Sequence, residues 1–136
     1  MRTPHASTVT RLVLVALGGA LGSVLRYLVA NAAMAWAGPA FPWGTLAVNL
    51  VGSFLIGLVQ SLAVESLSIS EEARLFLATG VMGGLTTYSA FSYETVRLAE
   101  TGAWPQALAN VLITTAACLT LCLLGLTTGR LLIAPR

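Results

Sequence analysis

TGVMGGLTTYS, residues 79–89, decides how this chain folds. Seven of its eleven residues are Gly, Thr or Ser, yet it lies inside residues 75–93, a stretch of nineteen with no formal charge. A bilayer-spanning helix needs about 20 mostly apolar residues, so the stretch is long enough to cross. Glycine costs about 1 kcal/mol relative to alanine in a helix interior. Paired glycines and paired threonines therefore weaken the middle of this span. Backbone groups freed by a break persist at membrane depth only where protein or a polar cavity satisfies them. The run predicts a broken helix beside an ion or substrate site.

The rest of the chain agrees with a membrane setting. Its 136 residues are 57% hydrophobic and 9% charged, with a mean hydropathy of +0.86. A soluble domain carries about 25% charged residues. The reading is one transmembrane domain, residues 1–136. Arginine and glutamate supply every charge, and the net charge of +2 gives no footprint for nucleic acid. There is no nucleophile–base pair, carboxylate pair or metal-ligand cluster, so the chain is not read as an enzyme. Cys118 and Cys122 share one helix face and read as small packing residues. His5 reads as a solvated tail residue.

Four hydrophobic segments follow from the breakers: residues 11–35, 42–64, 72–98 and 104–133. Gly38, Pro39 and Pro42 separate the first two, a Glu-containing link the next, and Thr101, Gly102 and Pro105 the last. Ser70 before Glu71 and Glu72 resembles a helix N-terminus. The small residues around Ala30–Ala32 have the look of a signal-peptide cleavage site. The apolar stretch continues past them, however, and Arg26 interrupts the region before them, so a retained span is expected. The fold class is an all-α integral membrane protein of four transmembrane helices, the third broken.

Four spans put both termini on one side, with Arg2, Arg11, Arg74, Arg130 and Arg136. Arg97, and Arg26 if it reaches outward, lie opposite. The excess favours cytoplasmic termini but is small enough to permit an inverted copy. Four short spans are too few to enclose a pore, so oligomerisation is expected.

Polar residues fall in lines on these spans. Thr45, Asn49, Ser53 and Gly57 recur at steps of four on the second, followed by Gln60; Asn110, Thr114 and Cys118 do so on the fourth. Two such lines can border one narrow path. They can equally be interhelical glue, the preferred reading for Ser53, Gly57, Thr115 and Cys118. For Asn49, a full amide in mid-span, packing and function stand level. Gly18, Gly19, Gly22 and Ser23 read as a close helix contact. Arg26 reads either as a charge at an anion vestibule or as a headgroup anchor with Tyr27. Tyr88 and Phe91, directly after the break, offer ring edges that are weak donors to an anion.

Three motifs carry a resemblance: GGALGSVLRY (18–27), WGTLAVNLVGSFLIG (43–57) and GVMGGLTTYSAFSYE (80–94). Together they resemble the small bacterial fluoride channels called Fluc or CrcB. The resemblance implies a fluoride-selective channel in the bacterial inner membrane that relieves fluoride toxicity. It implies an antiparallel, dual-topology homodimer with two pores at the subunit interface. It also implies a structural sodium ion at that interface, held by the backbone carbonyls of Gly83 and Thr86. The pore residues it implies are Asn49, Thr45, Tyr88 and Phe91, with Thr87 and Ser89 beside them. Asn110, Thr114 and Cys118 would form a polar track on the last span, Arg26 a vestibular charge, and Glu94 matches a glutamate after the aromatics. The family usually has Phe where this chain has Tyr88, which adds a phenolic donor.

The competing reading is a small proton-coupled transporter. A multidrug exporter of this size relies on a carboxylate in the first span, and residues 11–35 contain no Asp or Glu. A fluoride/proton antiporter needs a titratable group in the path, where Glu94 is the sole nearby candidate. A heterodimer with a paralogue is compatible with the small arginine bias.

Overall fold

Side-chain caps open several of the helices. In the computed structural model, which describes residues 7–65 and 69–133, the Ser7 hydroxyl accepts from Thr10 N at 3.2 Å and opens α1, Thr8–Ala37. Gly38, at φ 71°, ends it. Helix α2 is Trp43–Glu65. Ser70 caps the short α3, Glu71–Arg74, through Ala73 N at 3.1 Å. A π-helical stretch, Leu75–Met82, and the short α4, Gly83–Leu85, continue it. Helix α5, Tyr88–Glu100, follows the break, and α6, Trp104–Ile133, follows a turn at Gly102 with φ 82°. Expectations for Arg2, His5 and Arg136 lie outside the described residues.

Three of these helices, Thr8–Ala37, Trp43–Val64 and Trp104–Ile133, are each long and apolar enough to cross a membrane. Thirty residues of α1 extend about 45 Å against a hydrocarbon core of about 30 Å. Leu12, Leu17, Leu124 and Leu131 stand exposed along α1 and α6, as lipid-facing side chains do. The fourth segment is the interrupted one.

The interruption falls within the expected run, at its paired threonines rather than its paired glycines. Gly83 and Gly84 are helical, with Gly83 at φ −62° and ψ −38°. The chain opens one turn later, where Thr86 (ψ 154°) and Thr87 (φ −153°) are both extended. Gly80 and Gly84 serve close packing, while Gly83 has nothing within 4 Å of a Cβ position. A Cβ on Gly80 would lie 2.8 Å from Gly18 Cα, and one on Gly84 3.0 Å from Ser23 N. Nor was the π stretch visible in the composition.

The break moves the chain between partners. Before it, the π stretch and α4 pack on α1; after it, α5 packs on α6. Helices α2 and α6 pack closely through Gly57 and Gly125, each set against the other helix's backbone. Val48, Val81, Met82 and Leu85 form the small core at the centre.

Side-chain contacts fix the direction of each span. Arg11 and Glu71 pair at 3.0 Å, and Gly129 meets Ser61, so these four mark one end of the bundle. Gly44 packs on Ala30, and Thr45 bonds Glu94, at the other end. Trp36, Trp43 and Trp104 lie at that second end and are exposed, as interfacial aromatics are.

Candidate functional site

Two polar lines converge on one cavity of ≈ 460 Å³. Helix α2 contributes Asn49 and Ser53, and α6 contributes Thr114, Thr115 and Cys118. Helix α4 contributes Gly83, the break Thr86 and Thr87, and α5 Tyr88 and Phe91. Gly52, Ile56, Ala78, Met82 and Leu119 complete an apolar wall. No residue of this lining carries a formal charge.

Asn49 is 7% exposed and Thr87 6%. The Thr87 N–H donates to Asn49 Oδ1 at 2.8 Å, and Asn49 Nδ2 donates to the Thr87 carbonyl at 3.1 Å. The amide thus bonds both backbone groups of Thr87 and satisfies the N–H that the break frees there, as buried peptide groups require. An amide nitrogen has two hydrogens, so one remains after this pair.

Threonines build the rest of the turn. Thr86 N and Thr86 Oγ1 both donate to the Met82 carbonyl, at 3.0 and 2.9 Å. The Thr86 methyl rests in the space that Gly52 leaves by lacking a side chain. Thr87 Oγ1 accepts from Ala90 N at 3.1 Å and so caps α5.

These bonds leave two carbonyls without their ordinary helical donors. In a continuous helix Thr87 N–H would bond Gly83 O and Ala90 N–H would bond Thr86 O. Here the first turns to Asn49 and the second to the Thr87 hydroxyl. Among the described residues no group of three His, Cys, Asp or Glu could hold a metal ion.

The aromatic pair borders the cavity unequally. Tyr88 is 80% exposed and Phe91 8%. Their ring centroids are 5.4 Å apart and their planes tilted by 46°, neither stacked nor perpendicular.

Several expected site residues lie elsewhere. Asn110 is 1% exposed and does not line the cavity. Its Nδ2 donates to Thr95 Oγ1 at 2.8 Å, Thr95 donates to the Phe91 carbonyl at 2.7 Å, and Thr114 donates to Asn110 Oδ1 at 3.2 Å. Asn110 therefore anchors two lining residues from behind. Thr45 lies in a separate cavity of ≈ 90 Å³ with Glu94, to which it donates. Ser89 is exposed, 3.2 Å from Thr87 Oγ1, and Arg26 lines neither cavity.

Gly52 and Thr95 had no reading from sequence. A single glycine beside a serine gives no spacing signal, and Thr95 looks like any helical threonine. Cys118, read as packing, does line the cavity.

Comparison with known proteins places the chain firmly. The family described as "CrcB-like protein, Camphor Resistance (CrcB)" matches residues 13–126. The fluoride-specific ion channel FluC of Magnetococcus marinus is 48% identical over 118 residues, covering 87% of this chain and 96% of that protein. FluC of Geobacter sulfurreducens is 51% identical over 110 residues, 81% of this chain and 89% of the relative. FluC of Agrobacterium fabrum is 63% identical over 90 residues, 66% and 72% respectively.

Proposed function

The chain belongs to the CrcB-like protein family, and from that premise we infer that it is a fluoride-selective ion channel and not an enzyme. It lets fluoride leave the cell down its electrochemical gradient and so relieves fluoride toxicity. The observation that carries the reading is the uncharged, donor-bearing cavity between α2, α5 and α6.

Fluoride is small and holds water tightly, so a pore must replace that water without trapping the ion. Moderate donors with no fixed charge suit that need. The second Nδ2 hydrogen of Asn49, the Tyr88 hydroxyl and the ring edges of Tyr88 and Phe91 supply them. Thr87 frames the turn that holds Asn49, and Ser89 sits beside it. The Thr114 and Thr45 hydroxyls join the route when their protons swing from Asn110 and Glu94, since a hydroxyl both donates and accepts. Asn110 positions Thr114, and Arg26 supplies positive charge at the approach.

The working unit is an antiparallel homodimer in the bacterial inner membrane. Two features support a second copy: the cavity is open in one protomer, and Tyr88, Ser89 and Gly83 are exposed beside it. The carbonyls of Gly83 and Thr86, with their helical donors diverted, suit a sodium ion at the dimer axis. That ion would supply fixed positive charge where two breaks meet.

Fluoride efflux from liposomes holding the purified protein tests the function, with chloride as the control. Selective, electrogenic fluoride loss is expected. Efflux that requires a proton gradient would favour antiport instead.

A further inference from the structure

We propose that Asn49 is a positioning residue for the cation site as well as a donor on the anion route, and that it couples the two. The inference rests on the sodium reading above. Its ground is the paired hydrogen bonds between the Asn49 amide and the Thr87 backbone, both groups being buried.

The argument turns on one backbone N–H. Thr86 N–H still bonds the Met82 carbonyl at 3.0 Å, in the ordinary helical pattern. Continuing that pattern would place Thr87 N–H on the Gly83 carbonyl. Asn49 Oδ1 takes this donor at 2.8 Å instead. The Gly83 oxygen keeps its lone pairs, and carbonyls freed in this way can replace the hydration shell of a monovalent cation. The same amide, through its Nδ2–Thr87 O bond at 3.1 Å, holds Thr87 in the extended conformation that keeps the helix open.

Removing the amide reverses this. With Ala at position 49, a buried Thr87 N–H has no side-chain acceptor, and an unmade buried hydrogen bond is unfavourable. The nearest remedy along the chain is the Gly83 carbonyl. The helix then closes over the break, and the oxygen offered to a cation is withdrawn. One residue on the anion path thus sets the chemistry of the cation site. A carboxylate, hydroxyl or thiol at the dimer axis is not needed.

The test compares the thermal unfolding of detergent-solubilised wild type, Asn49→Ala and Phe91→Ala in sodium chloride replaced stepwise by N-methylglucamine chloride. Both variants are expected to lose fluoride flux, but only the first touches the Thr87 backbone pair. Sodium is expected to stabilise wild type and Phe91→Ala with half-maximal concentrations within about threefold of each other, while Asn49→Ala needs about tenfold more or greater, tenfold being about 1.4 kcal/mol. An Asn49→Ala midpoint equal to that of wild type overturns the coupling and leaves the sodium reading standing. Wild type indifferent to sodium removes the sodium reading, and this inference with it. If Asn49→Ala does not fold, amide hydrogen exchange of the wild type decides. A Thr87 amide protected with and without sodium supports the pairing; a rapidly exchanging one overturns it.

Discussion

Thr45 Oγ1 lies 2.8 Å from Glu94 Oε1, tying the start of α2 to α5 one turn beyond Phe91. The second carboxyl oxygen, Glu94 Oε2, is buried and has no hydrogen-bond partner. Thr45 therefore supplies the side-chain hydrogen bond that this carboxyl group has. Thr45→Val keeps the shape and removes the donor. It is expected to lower stability by about 1–3 kcal/mol, the usual penalty for stranding a buried polar group. Thr45→Ser restores the hydroxyl and should recover most of the loss. Unfolding in detergent measures both; an unaltered Thr45→Val protein would remove Thr45 from this role.

The glycines of α1 separate by what faces them. A Cβ on Gly22 would lie 2.8 Å from Leu85 N and 3.0 Å from the Gly84 carbonyl carbon, both backbone atoms that cannot swing aside. Gly19 has nothing within 4 Å of the same position. Gly22→Ala is expected to destabilise the protein by about 1–3 kcal/mol through overpacking. Gly19→Ala should be neutral or stabilising by up to about 1 kcal/mol, the helix propensity difference. Equal midpoints for the two variants would contradict the packing of α1 against the π stretch and α4.

Thr95 makes a third case, because it joins two side-chain roles that the sequence kept apart. Its hydroxyl donates to the Phe91 carbonyl and accepts from Asn110 Nδ2, at 2.7 and 2.8 Å. Thr95→Val leaves the buried Asn110 amide without that acceptor. A loss of about 1–3 kcal/mol is expected, together with reduced fluoride flux as Thr114 loses its fixed partner. Wild-type flux and stability in Thr95→Val would make the Asn110 network incidental.

These residues show why some of the architecture could be read in advance and some could not. Four segments followed from hydropathy and breakers because burial in lipid leaves a composition signal along the chain itself. The polar line on α2 was visible because steps of four stay on one helix face. What the line bonds to was not visible. Asn49 meets Thr87 thirty-eight positions away and Thr45 meets Glu94 forty-nine away, and no local pattern encodes such pairs. Which residues of the run open the helix is not legible for a similar reason. Helix propensity weighs against Gly83 and Gly84 as well as the threonines, but both glycines stay helical, Gly84 packed on α1. The opening occurs at Thr86 and Thr87, where side-chain hydroxyls and Asn49 replace the lost helical bonds. Asn110 was placed on the pore because it continues a helical row, whereas its full burial puts it behind Thr114.

The two cysteines offer a direct probe of the cavity. Cys118 lines it, whereas Cys122, one turn along α6, does not, and the Cys122 backbone is packed against Gly57 on α2. Thiolates favour soft metal ions, and a silver ion is small enough to enter a space of ≈ 460 Å³. Silver added outside liposomes is expected to reduce fluoride efflux by about tenfold or more, a change of about 1.4 kcal/mol in the effective barrier. Cys118→Ser should conduct and resist silver, because serine keeps a hydroxyl at the cavity wall and removes the soft ligand. Cys122→Ser should remain as sensitive as wild type. The opposite pattern, with Cys122 controlling block, would place the conducting route on another face of α6.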